Sequence, residues 1–312
     1  MIGSNEFKTL KDVLLTLKGE LFYFLPNPGN AGDAAIYIAA LKLFDSIGLS
    51  YRIITDLDIK LEKKTIVVGG GGALSTDESS LAKKIKAASL LAKRVIVLPH
   101  TAREINSTLN ESKAEIMFFC REQRTFEYIK HFKNVTSLLV HDLVFSLNLE
   151  DYKELESHKN HFELVYLYAR NQFFYRQLKF RLRDLGKALR ASSIVRKLLN
   201  SQANNIVLNA FRLDEESSSI GIPTDNLDIS SLFQISINEP TLAEISTRMM
   251  VHFISQFQVV NTNRLHVAII AAQLGKKVYF YDNSYFKCRE VYIHSIESNF
   301  KDVEFIKSDN DF

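Results

Sequence analysis

Short apolar runs recur along the chain, each closed by polar or glycine-rich residues, and longer stretches with helical spacing lie between them. Leu21–Leu25, Ser50–Thr55, Thr65–Val68, Arg94–Leu98, Glu115–Phe119 and Val135–Val140 read as strands. The intervening stretches Asn5–Lys18, Ala34–Ile47, Asp77–Ala92 and Gln123–His131 read as helices, the first with Leu10, Val13, Leu14 and Leu17 on one face. The pattern resumes after residue 204. Strands Ile206–Phe211, Phe257–Val260, Lys277–Tyr281 and Val303–Ile306 alternate with helices Pro240–His252 and Leu265–Leu274. Strand–helix alternation in both halves predicts an α/β protein of two Rossmann-like domains, with parallel sheets flanked by helices, over residues 1–150 and 205–312.

Between them, 151–204 breaks the pattern. Phe162–Phe174 is aromatic and apolar. Arg170, Arg176, Lys179, Arg181, Arg183, Lys187, Arg190, Arg196 and Lys197 then accumulate with Asp184 the one acid among them. This reads as a basic helical region bridging the domains. Its charged face is either simply solvated or turned toward an anionic membrane surface or an acidic polymer, since each basic residue near such a surface contributes about 1 kcal/mol.

Composition narrows the class. At 312 residues the chain can bury two ordinary cores, and 46% hydrophobic with 24% charged residues is the balance of a soluble globular protein. A net charge of +3 does not by itself imply nucleic acid. Cys120 and Cys288 match no metal or redox spacing, which fits a reducing cytoplasm. No signal-peptide pattern and no apolar run long enough to span a bilayer is present, so a cytoplasmic location is expected.

The chemistry-bearing residues sit just past the strand ends, the edge where open parallel sheets bind ligands. Asn261-Thr262-Asn263-Arg264-Leu265-His266 joins a strand to a buried helix. Asn and Thr cap helix starts, and Arg264 and His266 would stand in a first turn that already favours an anion. In Pro26–Asp33, Gly29 and Gly32 permit close backbone approach; the plain alternative is a rigid turn with Asp33 capping the next helix. Gly69–Gly72 follows a strand directly, at an entropic cost that points to close contact with a ligand or another backbone. It fits neither a dinucleotide fingerprint, which lacks its third glycine, nor a P-loop, which lacks its Lys-Ser/Thr pair. Arg121 and Glu122 either serve a site or pair with each other, and a histidine such as His100, taken alone, is more often structural than catalytic.

Taken in order, Gly29-Asn30-Ala31-Gly32-Asp33, Gly69–Gly72, Leu98-Pro99-His100-Thr101, Arg121-Glu122, His141-Asp142, Phe211–Glu215, Asn263–His266 and Asp282-Asn283-Ser284-Tyr285 with Lys287 resemble the motifs of the polysaccharide pyruvyl transferase family. Two positions depart from its pattern: His100 stands where Gln is usual, and Phe286 where Gly often precedes the Lys. The resemblance implies a GT-B-like architecture with the domains facing a cleft, phosphoenolpyruvate as donor substrate, and a glycan or lipid-linked sugar as acceptor. The product would be a pyruvate ketal, and phosphate would be released.

On that resemblance Arg212 and Arg264 are the leading donor ligands, since a guanidinium matches phosphate and carboxylate in a bidentate way. Asn263 and Leu265 contribute from the helix start. His266 is the general acid or the partner of the leaving phosphate. Asp33 is the base toward the acceptor, with His100 and Asp142 behind it. Asn30, Gly32, Gly70, Gly71, Gly72, Arg121, Asp282 and Lys287 complete the expected substrate contacts. No metal cluster and no cofactor are expected, and no nucleic-acid partner. Two rivals share the fold: a GT-B-like glycosyltransferase using a nucleotide sugar, and a non-catalytic glycan-binding or assembly protein.

Overall fold

A computed structural model describes residues 7–57, 62–153, 207–214, 216–217, 221–234 and 239–307. The basic region 151–204 lies outside them except for residues 151–153. Two compact units emerge. The first comprises Met1–Asn27, Ala39–Leu147 and Arg289–Asn299; the second comprises Pro28–Ile38, Asn148–Cys288 and Phe300–Phe312. The glycine-containing loop Gly29–Asp33 is thus grouped with the second unit, although it follows the first strand of the first.

The first unit is built on a parallel sheet of β1 (Leu21–Leu25), β2 (Ser50–Ile53), β3 (Thr65–Val68), β4 (Gly71–Leu74), β5 (Arg94–Ala102), β6 (Glu115–Cys120) and β7 (Val135–Leu139). Its strand order is β2-β1-β3-β5-β6-β7, with β4 pairing β5. Central strands are apolar on both faces because both are covered: every residue of β3 is buried, and in β5 Arg94 alone is not. One face packs Ile66, Val68, Val95, Val97, Ile116 and Phe118 against Leu81, Ile85 and Ile129 of the helices Ser80–Leu91 and Gln123–Ile129. On β1, Phe22 and Phe24 meet Phe44 edge-on at 5.3 and 5.1 Å, near the end of helix Ala31–Ser46.

The second unit holds a parallel sheet of β8 (Val207–Ala210), β9 (Val259–Thr262), β10 (Lys277–Tyr281) and β11 (Val303–Ile306), adjacent in chain order. Helices Pro240–Ser255 and Leu265–Gln273 connect these strands. The longer one presents Leu242, Ile245, Met250, Phe253 and Ile254 to the interior, and Phe253 stacks edge-on with Phe233 and Phe257. The α/β class and the parallel, helix-flanked sheets are as the hydrophobic pattern predicts.

Three local readings change. Helix Ala31–Ser46 starts three residues earlier than Ala34. The strand expected to stop at Leu98 runs on to Ala102 through Pro99. Its ladder with β6 shifts register between Val97 and His100, an irregularity that accommodates a residue with no N–H to donate. Finally, Gly71–Leu74 is itself a short strand rather than part of a loop. Among the described residues no helix is long and apolar enough to cross a membrane.

Candidate functional site

In the first unit the sheet reverses direction of growth between β1 and β3, the switch point where α/β sheets open a crevice beyond their strand ends. The four glycines lie there. Gly69 N–H donates to Leu25 O at 2.8 Å, and a Cβ on Gly69 would lie 2.7 Å from the backbone nitrogen of Asn27. The side chain of Asn27 donates to Gly70 O at 3.1 Å. Gly71 has φ +132°, a conformation that side chains disfavour. Two of the glycines are therefore required by backbone contact and backbone angle.

His100 closes this turn from below. Its Nε2 accepts the Ala73 N–H at 3.1 Å, so the ring proton is on Nδ1, which donates to Gly69 O at 3.2 Å. The ring is fully buried. Burial first, and then the charge of Arg121, push its pKa down to about 3. His100 is a neutral staple across the glycine turn. The departure from Gln has a physical reading, because an amide offers the same donor and acceptor.

Arg121 and Glu122, weighed from sequence as a mutual pair, are each engaged elsewhere. Arg121 donates from Nε to Thr101 Oγ1 at 2.8 Å and from Nη1 to Asp142 Oδ2 at 2.7 Å, with both charges buried. Asp142 also caps the 3-10 turn Leu143–Ser146 through Val144 N–H at 2.9 Å. Glu122 caps helix Gln123–Ile129, accepting from Thr125 N–H at 2.8 Å, and burial raises its pKa despite the hydrogen bonds from Thr125. His141 meets Ser295 Oγ at 2.8 Å and stacks on His294 with centroids 4.8 Å apart.

In the second unit the first turn of helix Ala31–Ser46 is a reciprocal cap. Asn30 Oδ1 accepts from Gly32 N–H at 2.8 Å, and Asp33 Oδ2 accepts from Asn30 N–H at 2.8 Å. Asn30 is thus the capping residue and Asp33 its return partner, which corrects the alternative in which Asp33 itself caps. Gln234 Nε2 donates to Gly29 O at 2.8 Å and holds the loop from the other side. Gly32 is a glycine because His266 lies on it: a Cβ there would be 2.3 Å from His266 Nδ1.

His266 belongs to helix Leu265–Gln273, whose capping position is Arg264; the Arg264 side chain makes no cap hydrogen bond. Asn261 and Thr262, expected as caps, are the last residues of β9. Thr262 Oγ1 accepts from Arg264 N–H at 2.9 Å and donates to Ala210 O at 2.7 Å. Asn263 Oδ1 accepts from Arg212 N–H at 2.8 Å, tying the ends of β8 and β9 together. These bonds set the two arginines beside one another at the same sheet edge.

The charges there are internally compensated. Arg212 grips Asp214 at 2.6 and 3.0 Å and also contacts Glu216. Arg264 takes Asp228 through Nε at 3.0 Å and through Nη2, and reaches Asp214 at 3.1 Å. Lys287 donates to Glu216 at 2.8 Å and lies 4.8 Å over the Tyr285 ring. Burial alone would raise the carboxyl pKa values of Asp214 and Glu216, but the adjacent cations outweigh it and hold both low. Asp282 follows β10 and accepts the Asn283 N–H at 2.9 Å.

Asp214, Glu216 and Asp228 were not among the sequence-derived site residues. An Arg followed at two and four residues by acids is a legible signal for the first two. Asp228 carries none, since it lies far from Arg264 in the chain. Among the described residues no cluster of three or more His, Cys, Asp or Glu could hold a metal ion.

The model of the family described as polysaccharide pyruvyl transferase matches residues 30–285, from the capping Asn30 to the Tyr285 beside Lys287. The chain belongs to the polysaccharide pyruvyl transferase family. Membership indicates a transferase acting on polysaccharide. A functionally uncharacterised protein from Klebsiella pneumoniae subsp. pneumoniae NTUH-K2044, known from its crystal structure, is 27% identical over 98% of this chain and 100% of that chain, with a TM-score of 0.71. No curated protein matches the chain.

Proposed function

We propose that the protein transfers the enolpyruvyl group of phosphoenolpyruvate to two hydroxyls of a sugar, in a surface polysaccharide or its lipid-linked precursor, forming a pyruvate ketal and releasing phosphate. The observation that carries this reading is the pair Arg212 and Arg264 on neighbouring strand ends with His266 two residues beyond, inside a family match that spans all three. A donor with a phosphate and a carboxylate needs more than one guanidinium, and bidentate geometry suits both groups.

The steps balance. One sugar oxygen attacks the carbon that bears phosphate and the enol carbon takes up a proton. Phosphate leaves, and the second oxygen closes the ring. The two hydroxyl protons end on the new methyl group and on phosphate. In this reading Arg212, Arg264 and Lys287 hold the donor's charge. The N–H groups at Asn263 and Leu265 face the same anion, with Asp282 behind them. His266 supplies the proton or attends the departing phosphate, and Asp33 receives the acceptor's proton beside Asn30 and Gly32.

Gly70, Gly71 and Gly72 give the acceptor a side-chain-free edge, with His100, Arg121 and Asp142 holding it from behind. A GT-B-like fold, which the family resemblance implies, stays part of the proposal. No cofactor enters this scheme. Peripheral membrane association through 151–204 stays part of the proposal, as does a cytoplasmic location.

The test is incubation with phosphoenolpyruvate and candidate lipid-linked sugars, read by mass spectrometry for one pyruvate added less water. His266→Ala and Arg264→Ala should each abolish phosphate release with the fold intact. Near-normal turnover in either variant refutes the assignment.

A further inference from the structure

Asn283 is buried, yet neither its Nδ2 nor its Oδ1 has a hydrogen-bond partner among the described residues. A carboxamide with donor and acceptor both unmet is costly, and protein interiors rarely keep one without a use. Its position is informative. It lies in the turn after β10, and the next residue, Ser284, donates its N–H to the backbone oxygen of Glu216 at 3.3 Å. The side chain of that same Glu216 occupies Arg212 and Lys287. The segment that fills the cations is therefore fastened to the turn that carries the orphaned amide. Asp214 and Glu216 are more exposed than Arg212 and Lys287, the cations they hold, so an incoming oxyanion can exchange with them.

We propose that Asn283 is a ligand-binding residue of the second unit: its amide N–H donates to an oxygen of a phosphate or carboxylate ligand after that oxyanion displaces Glu216 from Arg212 and Lys287. The carboxylates of Glu216 and Asp214 stand in for the ligand in its absence. Ligand entry releases Glu216 to solvent, loosens its link to Ser284 and uncovers the amide beneath. For phosphoenolpyruvate in particular, the inference rests on the donor reading above.

The experiment measures binding of phosphoenolpyruvate, inorganic phosphate and pyruvate to the full chain by calorimetry, with melting curves of the ligand-free proteins. Asn283→Leu removes two unmet polar atoms, so it should melt no lower than wild type while binding phosphoenolpyruvate at least tenfold more weakly. Asn283→Asp should bind more weakly still, because it adds a negative charge against an anion. Glu216→Gln should bind several-fold more tightly, having lost the competing charge. A phosphate arm that weakens in Asn283→Leu assigns the amide to the phosphoryl end, and a pyruvate arm that weakens assigns it to the carboxylate.

Wild-type binding that survives unchanged in Asn283→Leu overturns the inference and leaves the donor reading standing. A large loss of melting temperature in ligand-free Asn283→Leu also overturns it, because the amide would then have a structural partner. Unchanged affinity in Glu216→Gln overturns the displacement step. If wild type binds none of the three probes, the donor reading and this inference fall together.

Discussion

His100 shows how a side chain can hold a loop by never being charged. Both ring nitrogens bind backbone of the glycine turn, so the folded state needs the neutral ring. Its pKa falls from 6.5 to about 3, below that of an unfolded histidine. The unfolded chain therefore takes up the proton first, and the folded state loses stability as pH falls from about 6.5 toward 3, by at most about 1.4 kcal/mol per pH unit. His100→Gln preserves a donor and an acceptor and should lack this acid slope in chemical denaturation across pH 4–7. His100→Ala leaves the Ala73 N–H and Gly69 carbonyl unmet and should destabilise by about 1–3 kcal/mol. At this scale Arg264 and His266 stood out from the sequence by residue type and place before a helix, whereas Arg212 entered through the family resemblance and its place beside Arg264 came from the fold. Their acidic partners were not, since an ion pair such as Arg264 with Asp228 joins positions that only folding brings together.

The start of helix Ala31–Ser46 carries its own logic. Sequence placed it at Ala34 because the loop is polar and rich in glycine. Asn30 and Asp33 instead cap each other's turn and draw Ala31, Gly32 and Asp33 into the helix. Gly32 is then explained by a neighbour from another element, His266, rather than by a turn. In Gly32→Ala the new methyl would sit 2.3 Å from His266 Nδ1 and 2.8 Å from its Cβ and Cγ, so the imidazole must swing away. Displacing a reacting group by an ångström costs about 100-fold in rate. Phosphate release should fall by that order while the melting temperature moves little; a wild-type rate would show that the ring needs no fixed seat. Strand β5 teaches a similar lesson. Pro99 marked a strand end by local rules, but a register shift and the new partner β4 carry the strand past it.

At the scale of whole units, all sheet pairings among the described residues are parallel, which sends the strands' carboxyl ends to one edge of each sheet. The polar residues gathered past those ends divide into two kinds. Arg121 and Asp142 are buried cross-ties of the first unit; Arg212, Arg264 and Lys287 ring the edge of the second. Arg121→Met takes the guanidinium away from the buried Asp142 charge, so it should cost about 3–5 kcal/mol in a denaturant melt. A variant that instead melts like wild type but loses substrate affinity would place Arg121 among the ligands. The chain's own pattern of apolar runs and polar stops determined the α/β class, the parallel sheets and the edges where chemistry gathers, because burial on two faces and on one stripe leaves distinct periodicities. Tertiary structure alone decided which polar residues hold backbone, which hold each other and which, like the Asn283 side chain, meet no partner among the described residues. Those roles depend on partners distant in sequence and on desolvation, which no local pattern encodes.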